Sequence, residues 1–397
     1  MREPSTELRE LPWLESWLDE HGSGLITFRR ELHQNPELGY HEHRTTARLA
    51  GALAAAGLQP HLLPSGTGVF CDVGAGDRVV ALRADIDALP LQDVKQVPYA
   101  SSVAGICHAC GHDAHTTVAL GAALALASGP DQPGRVRVIF QPAEESVPGG
   151  ALDAIDGGAL EGVERIFALH CDPKLETGKL GLRTGPITAA CDKVDVRLSG
   201  PGGHTARPHA TVDLVYALGR VITDLPGLLS RRADPRHGMS LVWGAVQAGV
   251  AVNTIPQQGT VSGTVRMLDR GAWDNAEELV RTLVEQVVAP TGATVEVDYG
   301  RGVPPVDNDP ASVAILQSGV VSALGAKAVA DTEQSLGGED FAWYLGRVPG
   351  ALARLGVRPP DATGPYLDLH QPTFDIDESA LAVGVRAMVH TALAGLE

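Results

Sequence analysis

Cysteine is scarce in this chain, five residues in 397. So sparse and odd a set excludes a disulfide scaffold and predicts a reducing, cytoplasmic setting. Positive charge is also short. Lys and Arg number 31 against 48 Asp and Glu, a formal net charge of −17. That balance argues against wholesale binding to a phosphate backbone and against anionic lipid, so neither nucleic acid nor membrane is an expected partner. No run approaches the ~20 apolar residues that cross a bilayer. Met1 to Glu20 is charged and has no apolar stretch, so no secretory signal is predicted there. Internal repeats and low-complexity segments are missing too. What is present is an ordinary globular composition, 44% apolar and 20% charged. At roughly 150 residues per domain, the length suits two to three domains. Histidine, at 14 residues, is the one generous count, and its placement directs the rest of the reading.

Strands alternate with helices over the first 190 residues. Trp13 to about Gly57 reads as two amphipathic helices broken at Pro36 and Gly39. Strand-like runs follow at Gly68–Val73, Val79–Leu82, Arg135–Phe140 and Arg165–Leu169, with an alanine-rich helix over Ala114–Ala127. This order predicts an α/β sheet covered by helices on both faces. Near Ala190 the texture changes. Lys193–Leu198 alternates apolar and polar residues, as an exposed strand of an antiparallel sheet does. A helix over Val212–Leu229, strands at Ser240–Gln247 and Thr260–Leu268, a helix over Ala272–Val288 and a strand at Thr294–Tyr299 complete a β-α-β-β-α-β order, the ferredoxin-like pattern. The predicted organisation is therefore one α/β domain from residues 1–190 and 304–397, with an inserted α+β domain over residues 191–303.

The densest chemical signal is Cys107-His-Ala-Cys110-Gly-His112-Asp-Ala-His115. Cys110 and His112 are two apart, and in an extended or turning segment both can face one ion. Thiolate with imidazole suits a borderline-soft divalent metal such as zinc. The same residues also fit a redox Cys-x-x-Cys at a helix start, although thiol exchange has no use for three histidines. Gln141-Pro-Ala-Glu144-Glu145 follows an apolar strand. Adjacent carboxylates in an extended segment face opposite ways, so one can bind metal while the other serves as a base; a solvated loop is the alternative. Asp85-Ile-Asp87 and His170 likewise follow strands, at the carboxyl ends where α/β sheets bind ligands. In the inserted domain, Gly200-Pro-Gly-Gly203-His204 with Asn253 and Arg266 offers groups for an oxyanion and a carboxylate, or else a glycine turn with surface residues. Ser335-Leu-Gly-Gly338-Glu339-Asp340 and Leu369-His370 close the set, His370 being a further ligand candidate or a plain loop histidine.

Taken together these motifs resemble the M20 metallopeptidase family, in its amidohydrolase branch. The branch includes hippurate hydrolase, the plant hydrolases of indole-acetyl amino acids, N-acyl amino-acid amidohydrolases and N-acetyldiaminopimelate deacetylase. The resemblance runs nearly end to end. It takes in Arg30-Glu-Leu-His33-Gln-Asn-Pro36-Glu-Leu-Gly39, Leu82-Arg-Ala-Asp85-Ile-Asp87-Ala-Leu-Pro90, His108-Ala-Cys110-Gly-His112-Asp-Ala-His115, Gln141-Pro-Ala-Glu144-Glu145, Gly202-Gly-His204, Asn253-Thr-Ile-Pro256, Gly337-Gly-Glu339-Asp340-Phe341 and His370.

The resemblance implies a zinc-exopeptidase-like catalytic domain with a helix-covered mixed sheet, plus a ferredoxin-like lid that makes a homodimer or higher homo-oligomer. It implies that Cys110, His112, Glu145, His170 and His370 hold two divalent ions (zinc, manganese, cobalt or nickel), that Glu144 is the general base for a metal-bound water, and that Asp87 orients a ligand. In the lid it gives His204 the oxyanion and Asn253 and Arg266 the substrate carboxylate, with Gly338 at the substrate. The implied reaction is hydrolysis of small N-acyl amino acids to a carboxylic acid and an amino acid; the alternative is a dipeptidase or carboxypeptidase of the same family. Cys107 replaces a common Met, Cys171 follows His170 where a non-thiol is usual, and Ser146-Val-Pro-Gly-Gly replaces a glycine run. None of these departures removes a matched ligand.

Overall fold

A computed structural model describes residues 10–364 and 366–397. The first nine residues of the charged N-terminal stretch lie outside the described residues. The chain divides into two compact units: Met1–Ile187, Asn308–Glu333 and Asp340–Glu397 form one, and Thr188–Asp307 with Gln334–Glu339 the other.

The first unit opens with helix α1 (Pro12–Gln34), whose Leu14, Leu18, Leu25, Phe28 and Leu32 form one buried stripe. It stops just before Pro36, which cannot continue a helix. Helix α2 (His43–Ala55) follows. Then come β1 (His61–Leu62), β2 (Val69–Gly74), β3 (Val79–Asp85), α3 (His112–Ser128), β4 (Arg135–Gln141), α4 (Ala151–Asp156), β5 (Arg165–Glu176), β6 (Leu180–Leu182) and β7 (Gly185–Pro186).

The second unit holds β8 (Ala190–Ser199), β9 (Gly203–His204), α5 (Leu214–Arg232), β10 (Ser240–Ala248), β11 (Thr254–Ile255), β12 (Gln258–Met267), α6 (Arg270–Val288) and β13 (Thr294–Val303). Its antiparallel sheet has the order β10-β12-β8-β13, the ferredoxin-like arrangement. β8 is interior to that sheet, and its burial alternates along the strand. Val194, Val196 and Leu198 sit on the covered face with Val221 of α5 and Val280 of α6 in the same core.

After β14 (Asp307–Asn308) the chain completes the first unit with α7 (Pro310–Leu324), β15 (Val329–Asp331), α8 (Ala342–Leu345), β16 (Gly350–Arg358) and α9 (Ala380–Leu396). The first unit's sheet has eight strands in the order β1-β2-β4-β3-β5-β16-β6-β15. Its centre, β4-β3-β5-β16, is parallel, while β1, β2 and β6 bring antiparallel pairings. Parallel strands buried on both faces read as continuous apolar runs, as Val79–Leu82 does. α3 packs between α1 and α9, and α9 against α7. The core joins Leu82, Val138, Phe140, Phe167 and Leu355 from the sheet to helix residues such as Val118 and Val385. No helix among the described residues is long and apolar enough to cross a membrane.

Candidate metal centre

Three neighbouring parallel strands deliver the site. β3 ends at Asp85 and leads into Asp87; β4 ends at Gln141 and leads into Glu144 and Glu145; β5 carries His170. Cys110 and His112 arrive at the start of α3, where Gly111 turns the chain at φ 89°. A Cβ at Gly111 would lie 2.8 Å from the Cys171 sulfur, so only glycine fits both that dihedral and that space. His370 comes from the loop after β16 with φ 62°, its backbone N–H held by the Ala109 carbonyl at 2.7 Å. A non-glycine residue at such a φ is uncommon, and it persists where the surroundings impose it.

These segments bring seven residues together. Cys110 Sγ lies 3.6 Å from His170 Nε2 and 3.3 Å from His370 Nε2. Cys110, His112 and His170 form one trio of donors within 4.8 Å of one another; Cys110, Glu145 and His370 form another. The thiol is thus common to both. Glu145 Oε1 is 3.3 Å from His370 Nε2 and 3.9 Å from His112 Nε2, and Glu144 Oε2 is 3.8 Å from His112 Nε2. Asp87 sits behind them. Its carbonyl and Oδ1 accept from His112 Nδ1 at 3.0 and 3.2 Å, and its Oδ2 accepts from the Glu145 N–H at 2.9 Å.

Four features of this structure fit a divalent cation. A carbonyl can only accept, so the Asp87 and Cys171 carbonyls place the hydrogens of His112 and His170 on Nδ1. In the neutral ring each Nε2 then turns its lone pair toward the other donors, the arrangement of metal-bound imidazoles. His112 Nε2 and Glu145 Oε1 are buried and have no hydrogen-bond partner among the described residues. Burial pushes the Cys110 thiol well above its ordinary value, so the thiolate that ligates needs a cation beside it. Against burial, the Asp85 and Cys110 charges hold His112 well above its usual range, which means the pocket favours positive charge there. His170, by contrast, is pushed well below its usual range by burial and Arg354, which keeps it neutral. Thiol, imidazole and carboxylate together suit zinc and its borderline neighbours.

Two local expectations are corrected. Glu144 and Glu145 do not face opposite ways: the chain turns at Ala143 (φ 53°) instead of continuing extended, so both carboxylates approach His112. His170 does not cap a strand either, because β5 runs on to Glu176 and His170 pairs in register with Arg354.

The other candidates lie in the second unit. β9 pairs with β11 so that His204 faces Thr254, and the Asn253 carbonyl accepts from Thr205 N–H at 3.2 Å, which puts His204 and Asn253 on one small ribbon. His204 is exposed, and its Nδ1 accepts from Ala206 N–H at 3.0 Å. Arg266, on β12, bonds the Leu336 carbonyl, two residues before Gly338. Gly338 itself lies against Val303 and Cys191. Sequence reasoning left Glu42, Arg83, His115 and Asp340 unassigned, and Asp85 without a role of its own. Arg83, Asp85, His115 and Asp340 stood inside the quoted motifs, but spacing gave none of them a role of its own, and Glu42 stood outside every motif.

The sequence matches the profile of Peptidase family M20/M25/M40 over residues 81–394. A Rhodococcus jostii (strain RHA1) protein that carries a glutamate–cysteine ligase name is 50% identical over 382 residues. The match takes in 96% of this chain and 48% of that one, so the chain spans about half of this relative's length. The N-acetyl-L-cysteine deacetylase of Bacillus subtilis (strain 168) is 38% identical over 360 residues, 90% of this chain and 84% of the relative. Among solved structures, a Bacillus subtilis protein described as a dinuclear metal binding peptidase from the M20 family matches with TM-score 0.82 at 33% identity, covering 94% of this chain and 98% of that one.

Proposed function

The chain belongs to peptidase family M20/M25/M40, and from that premise we propose that this hydrolase cleaves the amide bond of N-acyl amino acids, releasing a carboxylic acid and a free amino acid. The observation that carries the reading is the convergence of Glu144 and Glu145 on His112 Nε2, beside a thiol common to two donor trios. The deacetylase name of the Bacillus relative supports the N-acyl class.

Cys110, His112, Glu145, His170 and His370 would hold two divalent ions. When bound, such ions supply Lewis-acid polarisation and make a water acidic near neutral pH. The protein's own part falls to Glu144. Its carboxylate accepts a proton as water oxygen bonds to the acyl carbon, and returns that proton to nitrogen as the C–N bond breaks. Asp87 keeps His112 and Glu145 aligned by accepting from both. His204, Asn253, Arg266 and Gly338 carry, within the same proposal, the substrate roles that the resemblance implies. A cytoplasmic enzyme that associates through its second unit belongs to the proposal as well, and five free cysteines suit a reducing compartment.

The test is a hydrolysis screen of N-acetyl, N-benzoyl and indole-acetyl amino acids alongside dipeptides, each with several divalent ions. N-acyl amino acids are the expected substrates; turnover of dipeptides alone would move the reading to an exopeptidase. Glu144→Ala is expected to bind metal as the parent does while losing turnover by about 10²–10⁴-fold, the usual worth of a positioned acid–base group. A variant that keeps most of its turnover removes Glu144 from the base role.

A further inference from the structure

Asp85, His112 and His115 form another trio of possible donors, fully buried, next to the proposed centre. It is not a third cation site, because two of its members are already committed. The Cys171 backbone N–H donates to His115 Nε2 at 2.7 Å. An N–H can only donate, so this nitrogen spends its lone pair on the backbone and the ring hydrogen sits on Nδ1. Nδ1 faces Asp85 Oδ1 at 2.6 Å. The other carboxylate oxygen of Asp85 accepts from Arg83 Nη1 at 2.8 Å. From Arg83 the chain of bonds continues. Nη2 donates to Asp340 Oδ1 at 2.7 Å, and Nε donates to Gln141 Oε1 at 2.8 Å. Gln141 Nε2 and the Ala151 N–H both donate to Asp340 Oδ2, at 2.8 and 3.0 Å.

The two ends of this chain are informative. One is the amide of Cys171, the residue after His170. The other is a pair of anchors, Gln141 and Ala151, on either side of the loop that bears Glu144 and Glu145. Every side chain between them is at most 2% exposed. The loop follows Asp340 closely: a Cβ at Gly149 would fall 2.1 Å from Asp340 Oδ2.

The geometry points to His115 as a positioning residue that, through Asp85, Arg83 and Asp340, sets the distance between the His170 ligand and the loop of Glu144 and Glu145. This rests on the two-metal reading above. A cage of fixed donors holds a cation better than a loose one, since groups behind the ligands typically govern metal affinity by about 10–100-fold.

The test uses cobalt(II) added to the metal-stripped full chain, followed by titration and by the cobalt–thiolate absorption of Cys110. His115→Asn keeps a donor near Asp85 but is too short for the Cys171 amide, whereas His115→Gln reaches toward that amide and gives up the bond to Asp85. Both are expected to weaken one cobalt equivalent by about 10–100-fold and to change the absorption band, while the metal-free proteins unfold within a few degrees of the parent. Asp340→Asn, at the far end, is expected to weaken cobalt binding in the same way and keeps the question open to test if a His115 variant does not fold. Variants that bind both equivalents with the parent's affinity and spectrum overturn the positioning role. A parent chain that takes up no stoichiometric cobalt overturns the two-metal reading itself, so the two failures are distinct.

Discussion

Glu42 has no exposed surface, yet its carboxyl holds the Ala143 N–H at 2.7 Å, one residue before Glu144. Burial and the Asp87 charge push this carboxyl up to about 7, against the bonds from its own and Ala143's backbone. The sign of the effect follows directly. The native state keeps the Glu42 proton to higher pH than the unfolded chain, whose value is near 4.5. Between these values the native state binds more protons, so stability falls as pH rises, by up to about 1.4 kcal/mol per unit, and levels off above about 7. Glu42→Gln stays neutral and can still accept from Ala143. Denaturant unfolding across this range is therefore expected to show the variant gaining on the parent by about 3 kcal/mol in all; parallel curves would mean that Glu42 does not carry the shift. Residues of this kind were illegible in the sequence. Cys110 and His112 stand two apart in a motif whose spacing speaks of ligation, and His115 lies in the same motif. Yet whether an imidazole nitrogen turns toward an ion or toward the backbone depends on where Cys171 N–H lies, which spacing does not encode.

At the scale of elements, α1 and α3 are joined by charge as well as by apolar contact. Arg29 Nε lies 2.7 Å from Asp113 Oδ2, with both side chains fully buried, and His33 Nδ1 is 2.7 Å from the same oxygen. Burial acts against the Asp113 charge, but Arg29 and His33 hold it well below the usual carboxylate range. Removing Arg29 leaves a buried carboxylate without its main partner. Arg29→Ala is thus expected to destabilise the protein by about 3–5 kcal/mol in denaturant unfolding; a loss below about 1 kcal/mol would show that the pair is solvated in solution. The helix break at Pro36, the strands at 69–74, 79–85 and 135–141, and the β-α-β-β-α-β order of the second unit were legible, because amphipathic periods and turn residues mark them. β16 and α9 were not read individually. β16 is buried along nearly its whole length and α9 over most of its surface, so neither shows a polar face from which a period is read. The carboxyl ends of β3 and β4 and the interior of β5 are where sheet topology and chemistry meet: three consecutive neighbours in the sheet converge on one pocket although their residues are far apart in the chain.

For the molecule as a whole, net charge and local charge point in opposite directions. The chain carries −17, yet the donors around Cys110 favour positive charge at His112. The proposed pair of divalent cations would reconcile the two, and it would let an acidic protein accept an anionic N-acyl amino acid by a local field that its net charge does not describe. As proposed, Cys110, His112, Glu145, His170 and His370 hold two ions on which amide hydrolysis depends. The most direct measurement is elemental analysis of the stripped and reloaded chain, paired on the same samples with hydrolysis of an N-acetyl amino acid. Two divalent ions per chain are expected, with activity lost when they are removed and restored by metal and not by reductant. Full turnover in samples from which metal has been removed would contradict the proposal.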